Sequence, residues 1–185
     1  MFDDEVWEAM FAHAKEDYPA ECCGMITADA DGHHAVHRCE NIQNKLHEAD
    51  PETHPRTSTE AYRMNDMHVL RIQQDAEQAG GKLVAIYHSH IDFDAYFSKE
   101  DQRAALFDGE PAYPGIVYPV IPVKKGEVDS RGRKVFQLHD DETDSHGQKV
   151  VRVFQWDEDT LTFKQAVDSD DQKMFQGDDE TSQSE

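Results

Sequence analysis

Two histidines, a serine and an aspartate stand close together in the segment His88-Ser89-His90-Ile91-Asp92-Phe93-Asp94-Ala95-Tyr96-Phe97-Ser98-Lys99-Glu100-Asp101. The histidines follow Leu83 to Tyr87, a run apolar at both parities, which reads as a strand covered on both faces. Alternate residues of a strand share a face, so His88 and His90 project to one side and can share a metal ion. Ser98 and Asp101 have the Ser-x-x-Asp spacing of a helix capping box, in which each side chain bonds the other residue's backbone N–H. A seven-residue loop joins His90 to Ser98 and can return the helix start to the strand end. Asp101, in the first helical turn, then supplies a third ligand. Two imidazoles and one carboxylate leave a fourth tetrahedral position for water, the arrangement of a catalytic rather than a structural zinc, and this donor set suits zinc best. Such a site also needs a base. Glu21 is one candidate, between Pro19 and Cys23-Gly24; on these residues alone Glu100 and Asp94 are equally open.

The elements that must position these groups are legible in outline. Phe2, Val6, Met10 and Ala14, with Ala9 and His13 beside them, give residues 2–18 an apolar helical stripe that Tyr18-Pro19 ends. Residues 21–27 read as a short strand. Asp31-Gly32 tips a hairpin into 35–40. Residues 41–59 are polar, contain Pro51 and Pro55, and read as a long loop of the kind that serves a function or stays disordered. A helix over 65–79 is capped by Asn65 and stopped by Gly80-Gly81, with Met67, Leu70 and Ile72 packing inward. Another helix spans 98–107. Residues 116–123 read as a strand that Pro119 and Pro122 push to a sheet edge. Residues 135–138, 150–156 and 161–166 read as antiparallel strands, with a turn at Asp157-Glu158-Asp159 and an acidic loop over 140–147.

The 185 residues favour one domain, over 1–167, followed by a disordered acidic tail over 168–185. The formal charge is −21, from 39 acidic and 18 basic residues, and the positive charge is scattered, which excludes an ordinary nucleic-acid binder. The acidity fits a solvated surface of the kind proteins carry in salty environments, the acidic tail, or a basic partner. No run approaches the roughly 18 apolar residues of a membrane span, and the acidic start is unlike a secretory signal. Cys22, Cys23 and Cys39 are odd in number, which fits a reducing cytoplasm and small buried side chains rather than a disulfide framework. A base deaminase is excluded, since no Cys follows Cys39 to make its Pro-Cys-x-x-Cys.

Glu21 followed far downstream by His-Ser-His-x(7)-Ser-x(2)-Asp resembles the JAMM motif of the MPN-type zinc metallopeptidases, short prokaryotic type. Pro19-Ala20-Glu21-Cys22-Cys23-Gly24, Asn41, Tyr62-Arg63-Met64 and Gly81 are also similar to that family, over residues 2–166. The resemblance implies an α/β fold with a mixed, curved sheet flanked by helices, close in architecture to the cytidine deaminases. It implies one zinc ion per chain held by His88, His90 and Asp101, with Glu21 as the proton carrier and Ser98 helping to hold the developing oxyanion. It implies hydrolysis of the bond after the C-terminal glycine of a ubiquitin-like or sulfur-carrier protein, in processing or in deconjugation. The tail of such a substrate would lie extended beside an edge strand, with the 41–59 loop as its clamp. A non-catalytic MPN-type binding scaffold is the alternative; such scaffolds usually lack some of the five polar positions present here. The family often has Pro after the second His, where this chain has Ile91. The two acids and three aromatics of 92–97 either pack beneath their loop or line the substrate groove.

Overall fold

A computed structural model describes residues 2–124 and 151–166; the expected strand at 135–138, the acidic loop at 140–147 and the tail at 168–185 lie outside the described residues. The chain opens with α1 (Asp4–Asp17), whose first turn carries Asp4 and Glu5 and whose last carries Lys15, the arrangement that opposes the helix dipole. Val6, Met10, Phe11, His13 and Ala14 form its buried face, as the four-residue spacing predicts. β1 (Cys23–Ala28) and β2 (His34–Cys39) make the expected hairpin, and Gly32 takes the left-handed φ of +88° that its turn requires. Next come α2 (Gln43–Ala49), α3 (Asp66–Gln78), β3 (Lys82–Ile91) and α4 (Lys99–Ala105). β4 (Leu106–Phe107) and β5 (Glu110–Pro111) form a two-stranded ribbon; β6 (Val117–Val123), β7 (Arg152–Asp157) and β8 (Thr162–Gln165) complete the described chain.

The main sheet has the order β2-β1-β3-β6-β7-β8, with β3 and β6 parallel and every other pair antiparallel. It is a mixed sheet with a helical layer on each face, the α/β class expected. Alternation along β3 divides the core. Ala85, Tyr87 and Ile91 pack with Val6, Met10 and Phe11 of α1, while Ile86 packs with Ile72 of α3 and with Phe97 and Tyr118. His88 and His90 share the parity of Ile86, so the strand aims both imidazoles away from α1.

Four expectations need correction. Residues 41–59 are not all loop: 43–49 form α2, where Asn41 Oδ1 accepts from Gln43 N–H at 3.0 Å and the buried Gln43 side chain donates to Arg56 O at 2.9 Å. Periodicity missed this helix because tertiary polar contacts, not an apolar stripe, hold it. On α3, Met67 and Leu70 are exposed, and Ile72, with Val69 half-buried, makes the inner face. The 98–107 helix ends at Ala105, where the chain extends into β4. β6 is interior, not an edge. Among the described residues each of its prolines enters one ladder: Pro119 pairs with Val153 of β7, and Pro122 pairs with His90 of β3.

Gly24 is fixed by close packing. A methyl group there would sit 2.5 Å from both the Tyr87 ring and the His37 carbonyl oxygen. Tyr87 is fully buried and its hydroxyl is tied to His13 Nδ1 at 2.8 Å, so the ring has nowhere to go. Gly24→Ala is expected to destabilise the fold by about 1–3 kcal/mol, read as a lowered thermal midpoint; an unchanged midpoint would contradict this packing.

Candidate active site

The metal triangle expected from sequence is assembled. His88 and His90, at the end of β3, bring their Nε2 atoms within 3.2 Å of each other. Asp101, on the first turn of α4, places Oδ1 3.4 Å from His88 Nε2 and Oδ2 3.5 Å from His90 Nε2. All three residues are buried. An ion with ligand bonds of about 2.0–2.1 Å in tetrahedral geometry needs donors roughly 3.3–3.4 Å apart, so these three groups fit a metal without rearrangement. The two imidazoles are held in different ways. His90 Nδ1 bonds the Asp94 carbonyl at 3.1 Å, which assigns the proton to Nδ1 and leaves the Nε2 lone pair free. His88 is held by packing instead: Tyr62 stacks on its ring at 4.6 Å, and among the described residues its buried Nδ1 has no partner.

The capping box is built into the same cluster of side chains. Ser98 N–H donates to Asp101 Oδ2 at 2.7 Å and Asp101 N–H donates to Ser98 Oγ at 3.1 Å. The cap orients Asp101 and leaves Oδ1 facing His88. Ser98 Oγ accepts within the cap, so its own O–H remains available as a donor in the cleft. Burial works to raise the Asp101 proton affinity, but the His88 charge and hydrogen bonds from His88, His90 and Ser98 outweigh it and hold the carboxyl well below the ordinary range. For His90, burial opposes the charge, yet the hydrogen bond and charge of Asp101 raise its pKa above the usual value. Asp101 is therefore held as the carboxylate, the form a bound cation requires.

Glu21 stands just before β1, across the cleft from this triangle. The cleft is open, about 240 Å³, and its walls include Glu21, His90, Ser98 and Asp101. Three contacts fix the Glu21 backbone: its N–H donates to Ser58 O at 2.7 Å, its carbonyl accepts from Asn41 Nδ2 at 2.9 Å, and the next N–H, of Cys22, donates to Ser89 Oγ at 2.8 Å. Ser89, between the two histidines, is buried and spans from β3 to the Glu21 segment. Its role was invisible in sequence, because any small polar residue could stand between two ligands. The rival bases are engaged elsewhere: Glu100 pairs with Arg103 at 2.6 Å and Asp94 with Lys124 at 3.3 Å, on exposed side chains. The 92–97 aromatics divide. Phe97 is buried in the core, whereas Phe93 and Tyr96 are exposed and line the cleft.

Burial pushes the Glu21 carboxyl up to about 8, against the opposing charge of His90. Its folded value lies above its ordinary one, so the fold favours the protonated form. In metal-free protein the stability linked to Glu21 is fully present below the ordinary carboxylate range and is lost as pH rises through about 8. Glu21→Gln is expected to match the metal-free wild type near pH 4 and to exceed it by on the order of a few kcal/mol at pH 9. Denaturant melts at the two pH values check this; a difference that does not grow with pH would contradict the burial.

The cysteines take no part in the triangle. All three are free and buried, and burial pushes the thiols up, Cys22 to about 12 and Cys39 to about 11. They are inert core side chains. Among the described residues no helix is long and apolar enough to cross a membrane.

Comparison with known proteins agrees with this geometry. Residues 3–134 match the family described as prokaryotic homologs of the JAB domain. The desampylase of Haloferax volcanii is 30% identical over 117 residues, 60% of this chain and 71% of that protein. The CysO-cysteine peptidase of Mycobacterium tuberculosis H37Rv is 33% identical over 97 residues, 52% of this chain and 59% of that protein. The solution structure of a Desulfitobacterium hafniense protein shares the fold, with a TM-score of 0.52 at 19% identity over 89% of this chain and 88% of the other. A match across most of the chain, over the segments that build the cleft, places this protein in the prokaryotic JAB-domain family.

Proposed function

We propose that the protein is a zinc-dependent hydrolase that cuts the amide bond after the C-terminal glycine of a ubiquitin-like or sulfur-carrier protein. The observation that carries this reading is the convergence of a buried His88-His90-Asp101 triangle, Glu21 and Ser98 on one open cleft. The named activities of the two relatives, a desampylase and a CysO-cysteine peptidase, support the substrate class. The catalytic domain is taken as 1–167, and the three free thiols favour a cytoplasmic setting.

Zinc held by His88, His90 and Asp101 would supply Lewis acidity, polarising the scissile carbonyl and lowering the pKa of water from about 15.7 toward about 7. The chain's own groups do the rest. Glu21 takes a proton from the attacking water as its oxygen bonds the carbonyl carbon. Its raised proton affinity suits it to hold that proton and pass it to the leaving nitrogen as the C–N bond breaks. Ser98 donates its hydroxyl hydrogen toward the oxygen that gains charge. Phe93 and Tyr96 give the cleft apolar walls against which an extended glycine tail can lie, and Arg56 and Thr59 bring the end of the 41–59 segment to the same cleft.

The test uses a ubiquitin-like carrier extended by one residue beyond its C-terminal glycine. Zinc-loaded protein is expected to shorten it by that residue's mass, and chelation to stop the reaction. An intact mass under all conditions would contradict the hydrolase reading and favour a binding scaffold.

A further inference from the structure

Among the described residues one cation stands in this acidic cleft, held there by no more than a long ion pair. The cleft walls carry four carboxylates, Glu21, Glu60, Glu100 and Asp101, and one guanidinium, Arg56. In a chain of charge −21, with acids outnumbering bases 39 to 18, solvation alone gives no reason for a cation here. Pairing does not account for it either. The Arg56 guanidinium comes no nearer to Glu100 than 3.9 Å, and Glu100 is already engaged by Arg103 at 2.6 Å. Among the described residues the guanidinium makes no hydrogen bond, which leaves its five N–H donors for a ligand.

The Arg56 backbone, by contrast, is firmly placed. Buried Gln43 donates Nε2–H to Arg56 O at 2.9 Å, and Ser58, two residues on, accepts the Glu21 N–H at 2.7 Å. One short segment thus carries both Arg56 and the support for Glu21. In the proposed reaction Glu21 hands its proton to the departing nitrogen, so the departing fragment lies on this side of the cleft. When that fragment is a single amino acid, its α-carboxylate is only two bonds from the scissile nitrogen. A lysine joined through its side chain has no carboxylate there.

We infer that Arg56 receives the free α-carboxylate of the departing residue, so that the protein selects a carrier extended by one amino acid. A guanidinium meets a carboxylate through two parallel N–H···O bonds, which a carboxamide cannot reproduce. The reaction is carrier-CO–NH–CHR–COO⁻ plus water, giving carrier-COO⁻ and ⁺H₃N–CHR–COO⁻. The C–N bond breaks, a C–O bond forms, and the protons of water end on the amine. This inference rests on the hydrolase reading.

The experiment compares two forms of one substrate, a ubiquitin-like protein whose C-terminal glycine is extended by one cysteine, as the free carboxylate and as the carboxamide. Zinc-loaded wild type is expected to prefer the carboxylate roughly 10- to 50-fold in kcat/KM, and Arg56→Gln to bring that ratio near one, with Arg56→Lys between them. Calorimetry on the Glu21→Gln protein, whose turnover is expected to be slowed by about 10²–10⁴-fold, should give the same preference in Kd. Equal cleavage and equal binding of both forms would overturn this inference alone, as would a preference that survives in Arg56→Gln. Cleavage of neither form would overturn the hydrolase reading and this inference with it.

Discussion

Replacing Glu21 by Gln is expected to lower kcat by about 10²–10⁴-fold while zinc content stays at the wild-type level. The two halves of that result have separate causes. Glu21 is not a member of the triangle, so the ligand set of His88, His90 and Asp101 is untouched. The amide keeps the shape of the carboxyl, and the backbone bonds to Ser58 O and Asn41 Nδ2 do not involve the side chain. What disappears is the group proposed to accept a proton from water and return it to nitrogen. Single-turnover rates and elemental analysis on the same preparation check both halves. Activity within tenfold of wild type would remove Glu21 from the mechanism. Loss of zinc would instead assign Glu21 to the metal.

His90→Ala is expected to abolish both zinc binding and hydrolysis. It removes one corner of a three-donor site whose remaining donors, His88 Nε2 and Asp101 Oδ1, lie 3.4 Å apart. Loss of an outer-shell partner alone typically costs 10–100-fold in metal affinity, and loss of a direct ligand is expected to cost more. The change also removes the ring that Tyr96 packs against at 4.7 Å and the bond to Asp94 O that shapes the loop. Cys22→Ala separates the metal effect from a general effect of disturbing the site, since Cys22 is buried beside Glu21 and, among the described residues, belongs to no cluster of metal-ligating side chains; it should retain zinc. Zinc content of His90→Ala equal to wild type would contradict the assignment.

These groups were legible in sequence because their geometry is local. A strand end, a seven-residue loop and the first turn of a helix bring His88, His90, Ser98 and Asp101 together whatever the rest of the chain does. Glu21 is different. Only its place in the family motif separated it from Glu100 and Asp94, since nothing local links residue 21 to residue 88. The fold supplies that link through Ser89, whose hydroxyl binds the Cys22 N–H. The errors have the same origin. Pro119 and Pro122 argued for an edge, but pairing to two neighbours over different stretches of β6 lets an interior strand carry both. Met67 and Leu70 are apolar, yet the orientation of α3 buries Ile72 instead. α2 has no apolar stripe and forms around Asn41 and Gln43, polar anchors whose partners lie well along the chain. Arg56 carried no sequence signal at all, because its meaning depends on the carboxylates that the fold gathers around it.

The proposed reaction stands or falls on whether His88, His90 and Asp101 hold a zinc ion. X-ray absorption at the zinc edge of protein loaded with one equivalent tests it most directly. The expected spectrum shows nitrogen and oxygen at about 2.0–2.1 Å, with the more distant scattering of two imidazoles and no sulfur. Sulfur at about 2.3 Å, which would place the ion on Cys22, Cys23 or Cys39, or failure of the protein to retain zinc, would contradict it.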